Sequence, residues 1–191
     1  GMKRNNEKAV VYVSSGEGTT SQGDFHEALN WASREKVPVI FHIENNGYAI
    51  SVPIIDQISG ASVYNIAAGY NSLTRFNVDG TYFFETQMAF KKAVDRARKG
   101  RGPSIIISNV VRLLPHSSSD DQRKYRSEAD LDADKKRDPL LVLAKQCIDV
   151  GIAKKSDFDK IIKEVANQVD EETVWADSQL DPKAEDYDKN V

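Results

Sequence analysis

Four short runs rich in β-branched residues set the frame of this chain: AVVYVSS (9–15), VPVIFHI (37–43), TRFNVDG (74–80) and PSIIISNVV (103–111). Near-continuous apolar runs of this length fit strands that are buried on both faces. Between them the apolar residues recur every three or four positions, as on one side of a helix: Phe25, Ala28, Leu29 and Ala32 after the first run, and Phe83, Phe90, Val94 and Ala97 after the third. Strands alternating with helices predict an α/β fold built on a doubly wound parallel sheet. Ligands of such sheets lie outside the C-terminal ends of the strands.

The connecting segments carry their own signals. Ser21 with Asp24 three residues on resembles a capping box that starts the first helix. Pro38 opens the second strand, where a missing amide is best tolerated. Residues 44–60, ENNGYAISVPIIDQISG, mix Asn, Gly and Pro with apolar residues in no steady period, which predicts a long ordered loop. A short helix is expected over 62–68, and the helix before the fourth strand should end near Gly100 and Gly102. After that strand, LLPHSSSDDQRKYRS (113–127) is polar throughout and reads as a mobile loop, not core. Helical spacing returns over 138–150 and 156–175, the latter with a stripe of Phe158, Ile161, Ile162, Val165 and Val169. The expected organisation is an α/β core over residues 1–137 and a C-terminal helical region over 138–191. Trp31 and Trp175 are expected as packing anchors, and Cys147 as a small core residue.

Charge and cysteine usage narrow the partners. The 26 Lys and Arg against 29 Asp and Glu leave a formal charge of -3, so no basic excess is available for a nucleic-acid backbone. The cations of KKAVDRARKGR (91–101) sit at a helix end, where they suit the negative dipole terminus and water. No apolar run approaches the roughly twenty residues that span a bilayer, and GMKRNNEKAV has no apolar stretch of a secretory signal. A single cysteine cannot close an internal disulfide, which points to a reducing compartment, the cytoplasm.

The chemistry is concentrated at the ends of the first two strands. GEG (16–18) stands between a buried strand and a helix start, where free amides and the positive dipole end make a cradle for an anion. Glu17 puts a carboxylate inside that cradle. A carboxylate beside an anion makes physical sense with a cation between them, and a hard oxygen ligand selects magnesium or calcium. At the end of the next strand, Asn45, Asn46, Gly47 and Tyr48 offer amide and backbone oxygens at the same sheet edge. Magnesium held by few protein oxygens completes its shell with phosphate and water, which suggests a diphosphate-bearing cofactor. Taken separately, either piece is equally well a tight turn.

GEG followed by a helix, a strand and Asn-Asn resembles the thiamine-diphosphate motif, with Glu in place of the usual Asp. GEGTTSQGDFHEALNWAS, VPVIFHIENNGYAISVP, HSSSDDQRKYRS and KKRDPL resemble the alpha subunit of the branched-chain 2-oxo acid dehydrogenase, the decarboxylating component of its complex. The resemblance covers nearly the whole chain. It implies part of the thiamine-diphosphate-binding fold, with thiamine diphosphate and magnesium as cofactors. It also implies that Glu17, the Asn46 side chain and the Tyr48 carbonyl hold the metal, that Gly16, Gly18 and Thr19 line the diphosphate, and that His116 reaches the diphosphate and the reacting centre. Ser117 matches a serine phosphorylated in some relatives. Glu44 stands where some relatives place a phosphate-contacting Arg, and its charge argues against that role here. His26 and His42 match no motif and read as ordinary structural residues.

The implied reaction is oxidative decarboxylation of a branched 2-oxo acid with acyl transfer to a lipoyl acyltransferase. A beta subunit or fused beta region would hold the other half of the cofactor. The family's subunits are longer, so the chain reads as an excised part that lacks the N-terminal portion of the domain, with Gly1 a residue left by tag removal. In a eukaryote the compartment would be the mitochondrial matrix. Two alternatives stand beside this one: a pyruvate or acetoin dehydrogenase alpha subunit, and a non-catalytic binding or assembly module of the same fold.

Overall fold

The computed structural model describes residues 1, 3–5 and 7–187. Along the chain run β1 (Val11–Gly16), α1 (Gly23–Glu35), β2 (Val39–Asn45), the two-residue strands β3 (Tyr48–Ala49) and β4 (Val52–Pro53), the single turns α2 (Ile54–Gln57) and α3 (Val63–Ile66), β5 (Thr74–Asp79), α4 (Phe83–Arg98), β6 (Ser104–Asn109), α5 (Glu128–Lys136), α6 (Pro139–Asp149) and α7 (Lys155–Asp177). Two compact units divide it, Gly1–Leu143 and Ala144–Val191, and the boundary falls inside α6.

In the first unit the four expected strands form one parallel sheet in the order β1-β2-β6-β5. Alternation along the central strands sends side chains to two separate cores. Phe41 and Ile43 of β2 and Ile105 and Ile107 of β6 pack with Phe25, Leu29 and Ala32 of α1, and with Val63, Ala67 and Leu73. On the other face Ile40, Ile106 and Val78 meet Ala89 and Ala93 of α4. Each fully buried Ile or Leu in these layers contributes about 1.5–3 kcal/mol. The central strands β2 and β6 are therefore covered on both sides, whereas β1 is not the buried strand its apolar run suggests: it lies at the sheet edge with Val11, Tyr12 and Val13 exposed.

Several local expectations are corrected. The Ser21–Asp24 capping box does not form: Gln22 is the N-cap of α1 without a side-chain bond, because Ser21 belongs to a 3-10 turn over Glu17–Ser21. Ala28 is exposed, and α4 buries Ala89, Ala93 and Ala97, leaving Phe83 exposed. Small side chains spaced by four let α4 lie close on the sheet, whereas bulky Phe83 sits at the helix start beyond it. The loop over 44–60 contains a small hairpin, β3 paired antiparallel with β4, followed by α2. A separate helix, α5, occupies 128–136, started by Ser127, whose hydroxyl accepts from the Asp130 amide at 3.2 Å. Trp31 and Trp175 are not anchors, being 51% and 62% exposed. Trp31 instead lies under the Arg34 guanidinium, 4.9 Å from its ring centre. Cys147 is only partly buried. Among the described residues no helix is long and apolar enough to cross a membrane.

Candidate functional site

The C-terminal edge of the sheet is where β1 and β2 release their loops. Leaving β1 at Gly16, the chain enters the 3-10 turn, and Thr20 closes it by donating its hydroxyl to the Glu17 carbonyl at 2.6 Å. The turn folds the Glu17 side chain inward until it is 1% exposed. One carboxylate oxygen, Oε2, accepts the Asn46 amide from the end of β2 at 3.2 Å. The other, Oε1, is buried without any hydrogen-bond partner. Burial pushes the Glu17 carboxyl above its ordinary value, against the pull of backbone amides at Glu17, Asn46 and Tyr48 and of the Arg112 charge. A buried carboxylate with one bare oxygen is poorly solvated, and a cation at that oxygen would reverse the penalty.

The Asn46 turn is itself held in place. Its Oδ1 accepts the Tyr48 amide at 3.1 Å, and Gly47, at φ +84°, makes the bend that a side chain would resist. Asn45 Oδ1 accepts the Gly47 amide at 3.1 Å, while its Nδ2 donates to Asn109 of β6 at 3.0 Å. Asn109 in turn donates to Asn77 Oδ1 at 2.9 Å and to the Val78 carbonyl at 3.1 Å. A row of three amide side chains thus ties the ends of β2, β6 and β5 together. Glu17, Asn46 and Tyr48 are brought together by this frame.

The two glycines of GEG differ. A Cβ on Gly18 would lie 2.7 Å from Ala49 Cβ, so its missing side chain is used by β3. A Cβ on Gly16 would meet nothing within 4 Å, and φ is -75° there, so the surface beside it is open. Thr19 is exposed next to it. Glu44 is half exposed, with a carboxylate oxygen 3.6 Å from His42 Nδ1.

The polar segment after β6 is tied back to the same turn. Asp120 Oδ2 accepts the His116 amide at 2.9 Å and the Tyr125 hydroxyl at 2.6 Å. Arg112 donates to that hydroxyl at 2.6 Å and to the Ile50 carbonyl at 2.7 Å. Its guanidinium stands 5.5 Å from the centres of both the Tyr48 and the Tyr125 rings. Ile50 is held at φ +56°, a conformation that costs a β-branched residue on the order of 1–3 kcal/mol. Arg126 is buried and bonds the Arg112 carbonyl at 3.0 Å and Asp134 of α5 at 2.5 Å. The loop that carries His116 is thereby linked to the Tyr48 turn, while His116 itself is exposed. A pocket of roughly 360 Å³ opens beside that turn between Asn46, Tyr48, Arg126 and Arg137.

Sequence reasoning missed Thr20, Arg112, Asn77 and Asn109. Thr20 lies inside the quoted GEGTTSQGDFHEALNWAS, and Asn77 and Asn109 inside the third and fourth strand runs, but nothing in those segments singled them out, and Arg112 falls in no quoted segment. Among the described residues no group of three His, Cys, Asp or Glu could hold a metal. A hard-oxygen set with Glu17 as its one carboxylate, an amide oxygen and a carbonyl is a different kind of site. The bare Glu17 oxygen fits it.

A family model described as dehydrogenase E1 component matches residues 1–185. The chain is 39% identical over 169 residues to the 2-oxoisovalerate dehydrogenase subunit alpha of Bacillus subtilis (strain 168), covering 88% of this chain and 51% of that protein. It is 37% identical over 138 residues to the 3-methyl-2-oxobutanoate dehydrogenase subunit alpha of Mycobacterium tuberculosis (strain ATCC 25618 / H37Rv), covering 72% of this chain and 37% of that one. It is 31% identical over 192 residues to the pyruvate dehydrogenase E1 component subunit alpha of Bacillus subtilis (strain 168), covering 99% and 51%. The chain spans about half the length of the Bacillus relatives, and less of the Mycobacterium one.

Proposed function

This chain belongs to the dehydrogenase E1 component family, and on that premise we propose that it is the alpha-subunit part of a thiamine-diphosphate-dependent 2-oxo acid dehydrogenase acting on branched-chain substrates. The reading is carried by one observation, the buried and unpartnered Oε1 of Glu17 at the meeting of the β1 and β2 loops. Glu17, the Asn46 side chain and the Tyr48 carbonyl would hold magnesium. Gly16, Gly18 and Thr19 would line the diphosphate, with the open surface at Gly16 as its approach. The cofactor supplies the electron sink for loss of carbon dioxide from a 2-oxo acid. Of this chain's own groups, the Asn45–Asn109–Asn77 row fixes the metal turn. The Arg112–Tyr125–Asp120 chain holds the His116 backbone near it, so that the imidazole can contact the diphosphate and the reacting centre.

A beta subunit or fused beta region would hold the cofactor's pyrimidine, and a lipoyl acyltransferase would take the acyl group. The cytoplasm, or the mitochondrial matrix in a eukaryote, would be the compartment. Branched-chain substrates are placed first on the Gly-Glu-Gly, NNGYAIS and HSSSDD resemblance; the identities, 39% to a 2-oxoisovalerate subunit and 31–36% to pyruvate subunits, do not separate the two. A pyruvate or acetoin dehydrogenase is the second reading, and assays with 3-methyl-2-oxobutanoate, pyruvate and acetoin rank the three. Calorimetric titration of thiamine diphosphate into the assembled alpha and beta chains, with and without magnesium, tests the metal assignment. Glu17→Ala should abolish the magnesium-dependent part of binding while the protein stays folded. Unchanged affinity in that variant would remove the basis of the reading. Binding without turnover of any of the three acids would favour an assembly module over an enzyme.

A further inference from the structure

At the edge of the sheet opposite Glu17, where β1, β2 and β6 begin, a recess of roughly 250 Å³ is lined by Lys3, Lys8, Lys36 and Arg98, with Glu7 as its one carboxylate. Lys8, Lys36 and Arg98 have no side-chain partner among the described residues, while Lys3 donates to the Glu35 carbonyl. The nearby carboxylates are engaged elsewhere. Glu7 accepts the Asn5 side-chain amide at 3.1 Å, and Glu35 pairs with Arg34 at 3.2 Å. The C-terminal ends of α1 and α4 open onto this recess at Lys36 and Arg98, and each end offsets about half a positive charge. Against four cations, Glu7 and the two helix ends leave about two positive charges over, which suits one phosphate monoester at neutral pH.

Lys36 occupies its place under strain. It closes α1 in the left-handed conformation, at φ +50°, where helices prefer glycine. A lysine kept where glycine would be easier points to a use for its ammonium group. Beyond Lys3 the surface continues into a second recess, of roughly 540 Å³, lined by Arg4, Trp31, Glu35 and Val37. The Trp31 indole is 51% exposed and carries the Arg34 guanidinium over its ring. Indole and guanidinium planes are the surfaces on which a nucleobase stacks. The two recesses share Lys3, so a cationic hollow and a stacking surface adjoin each other.

We propose that these adjoining recesses bind a nucleoside monophosphate, with the phosphate among Lys3, Lys8, Lys36 and Arg98 and the base against Trp31. The site lies at the other end of the strands from the Glu17 turn and does not rest on the cofactor reading. Calorimetric titration of adenosine monophosphate into the 191-residue chain at low salt tests it, with inorganic phosphate and adenosine titrated separately. The nucleotide should bind more tightly than either. Lys36→Gly should weaken it roughly tenfold, the worth of one charge-assisted hydrogen bond, without lowering the melting temperature, since glycine suits the left-handed position. Arg98→Gln, at an exposed position, should weaken it by a similar factor. Trp31→Ala should also weaken the nucleotide roughly tenfold, through lost stacking, and leave the affinity for inorganic phosphate unchanged. A chain that binds no nucleotide overturns the proposal, as does binding indifferent to Lys36→Gly and Arg98→Gln, which would lie elsewhere. Inorganic phosphate bound as tightly as the nucleotide, or nucleotide affinity unmoved by Trp31→Ala, overturns the assignment of a base to the Trp31 surface.

Discussion

At the scale of single residues, the site rests on contrasts between neighbours that the letters alone do not separate. Gly16 and Gly18 look equivalent in the motif, yet a side chain on Gly18 collides with Ala49 at 2.7 Å while one on Gly16 meets open space. Gly18→Ala should therefore lower stability by about 1–3 kcal/mol, the usual cost of overpacking. Gly16→Ala should leave thermal unfolding unchanged and, on the proposed diphosphate site, weaken cofactor binding in the assembled enzyme. Melting curves of the two variants check the first half and calorimetry the second; equal melting temperatures would show that Ala49 yields. Glu17 was legible because a carboxylate between two glycines after a strand is an odd choice for a turn. The partners that bury it, Thr20 and the Asn46 amide, were not.

At the scale of elements, His42 shows how a side chain without a motif joins strands. From β2 its Nδ1 lies 2.9 Å from the Tyr12 hydroxyl of β1 and its Nε2 lies 2.9 Å from Ser108 Oγ of β6. Phe90 of α4 meets the ring edge to face, with ring centres 5.0 Å apart. Burial lowers its pKa from the ordinary 6.5, and the Glu44 charge only partly opposes this. The folded state thus binds the proton less readily than the unfolded chain. The stability this confers is complete above about pH 6.5 and is lost as pH falls through the folded value. Thermal unfolding between pH 7.5 and 5 should show a decline on the acid side that is shallower in His42→Gln; superimposable profiles would mean that His42 does not set that limb. The same scale explains the reading of the segment after β6. Its polar composition predicted a mobile loop, and the structure buries its closing residues Gln122 and Arg126 through hydrogen bonds, a route that apolar patterning cannot report.

At the scale of the whole molecule, the proposal assigns this chain the diphosphate end of a cofactor and leaves the pyrimidine to a partner. The 191-residue chain alone, with saturating thiamine diphosphate and magnesium, should therefore show no decarboxylation of any 2-oxo acid. An artificial-electron-acceptor assay decides this, and robust turnover by the isolated chain would show that it needs no partner to hold the pyrimidine. The sequence by itself determined the alternation of strands and helices, the parallel sheet and the pairing of GEG with NNGY, because hydrophobic period and turn chemistry are local properties of the chain. It could not give the strand order β1-β2-β6-β5, the amide row from Asn45 through Asn109 to Asn77, or the exposure of Trp31 and Trp175. Those depend on which segments lie side by side, and residues 32 or 64 positions apart become neighbours only when the sheet closes around them. Only the tertiary structure buried Glu17 under the β2 loop and left one of its oxygens bare, the observation on which the proposed cation site rests.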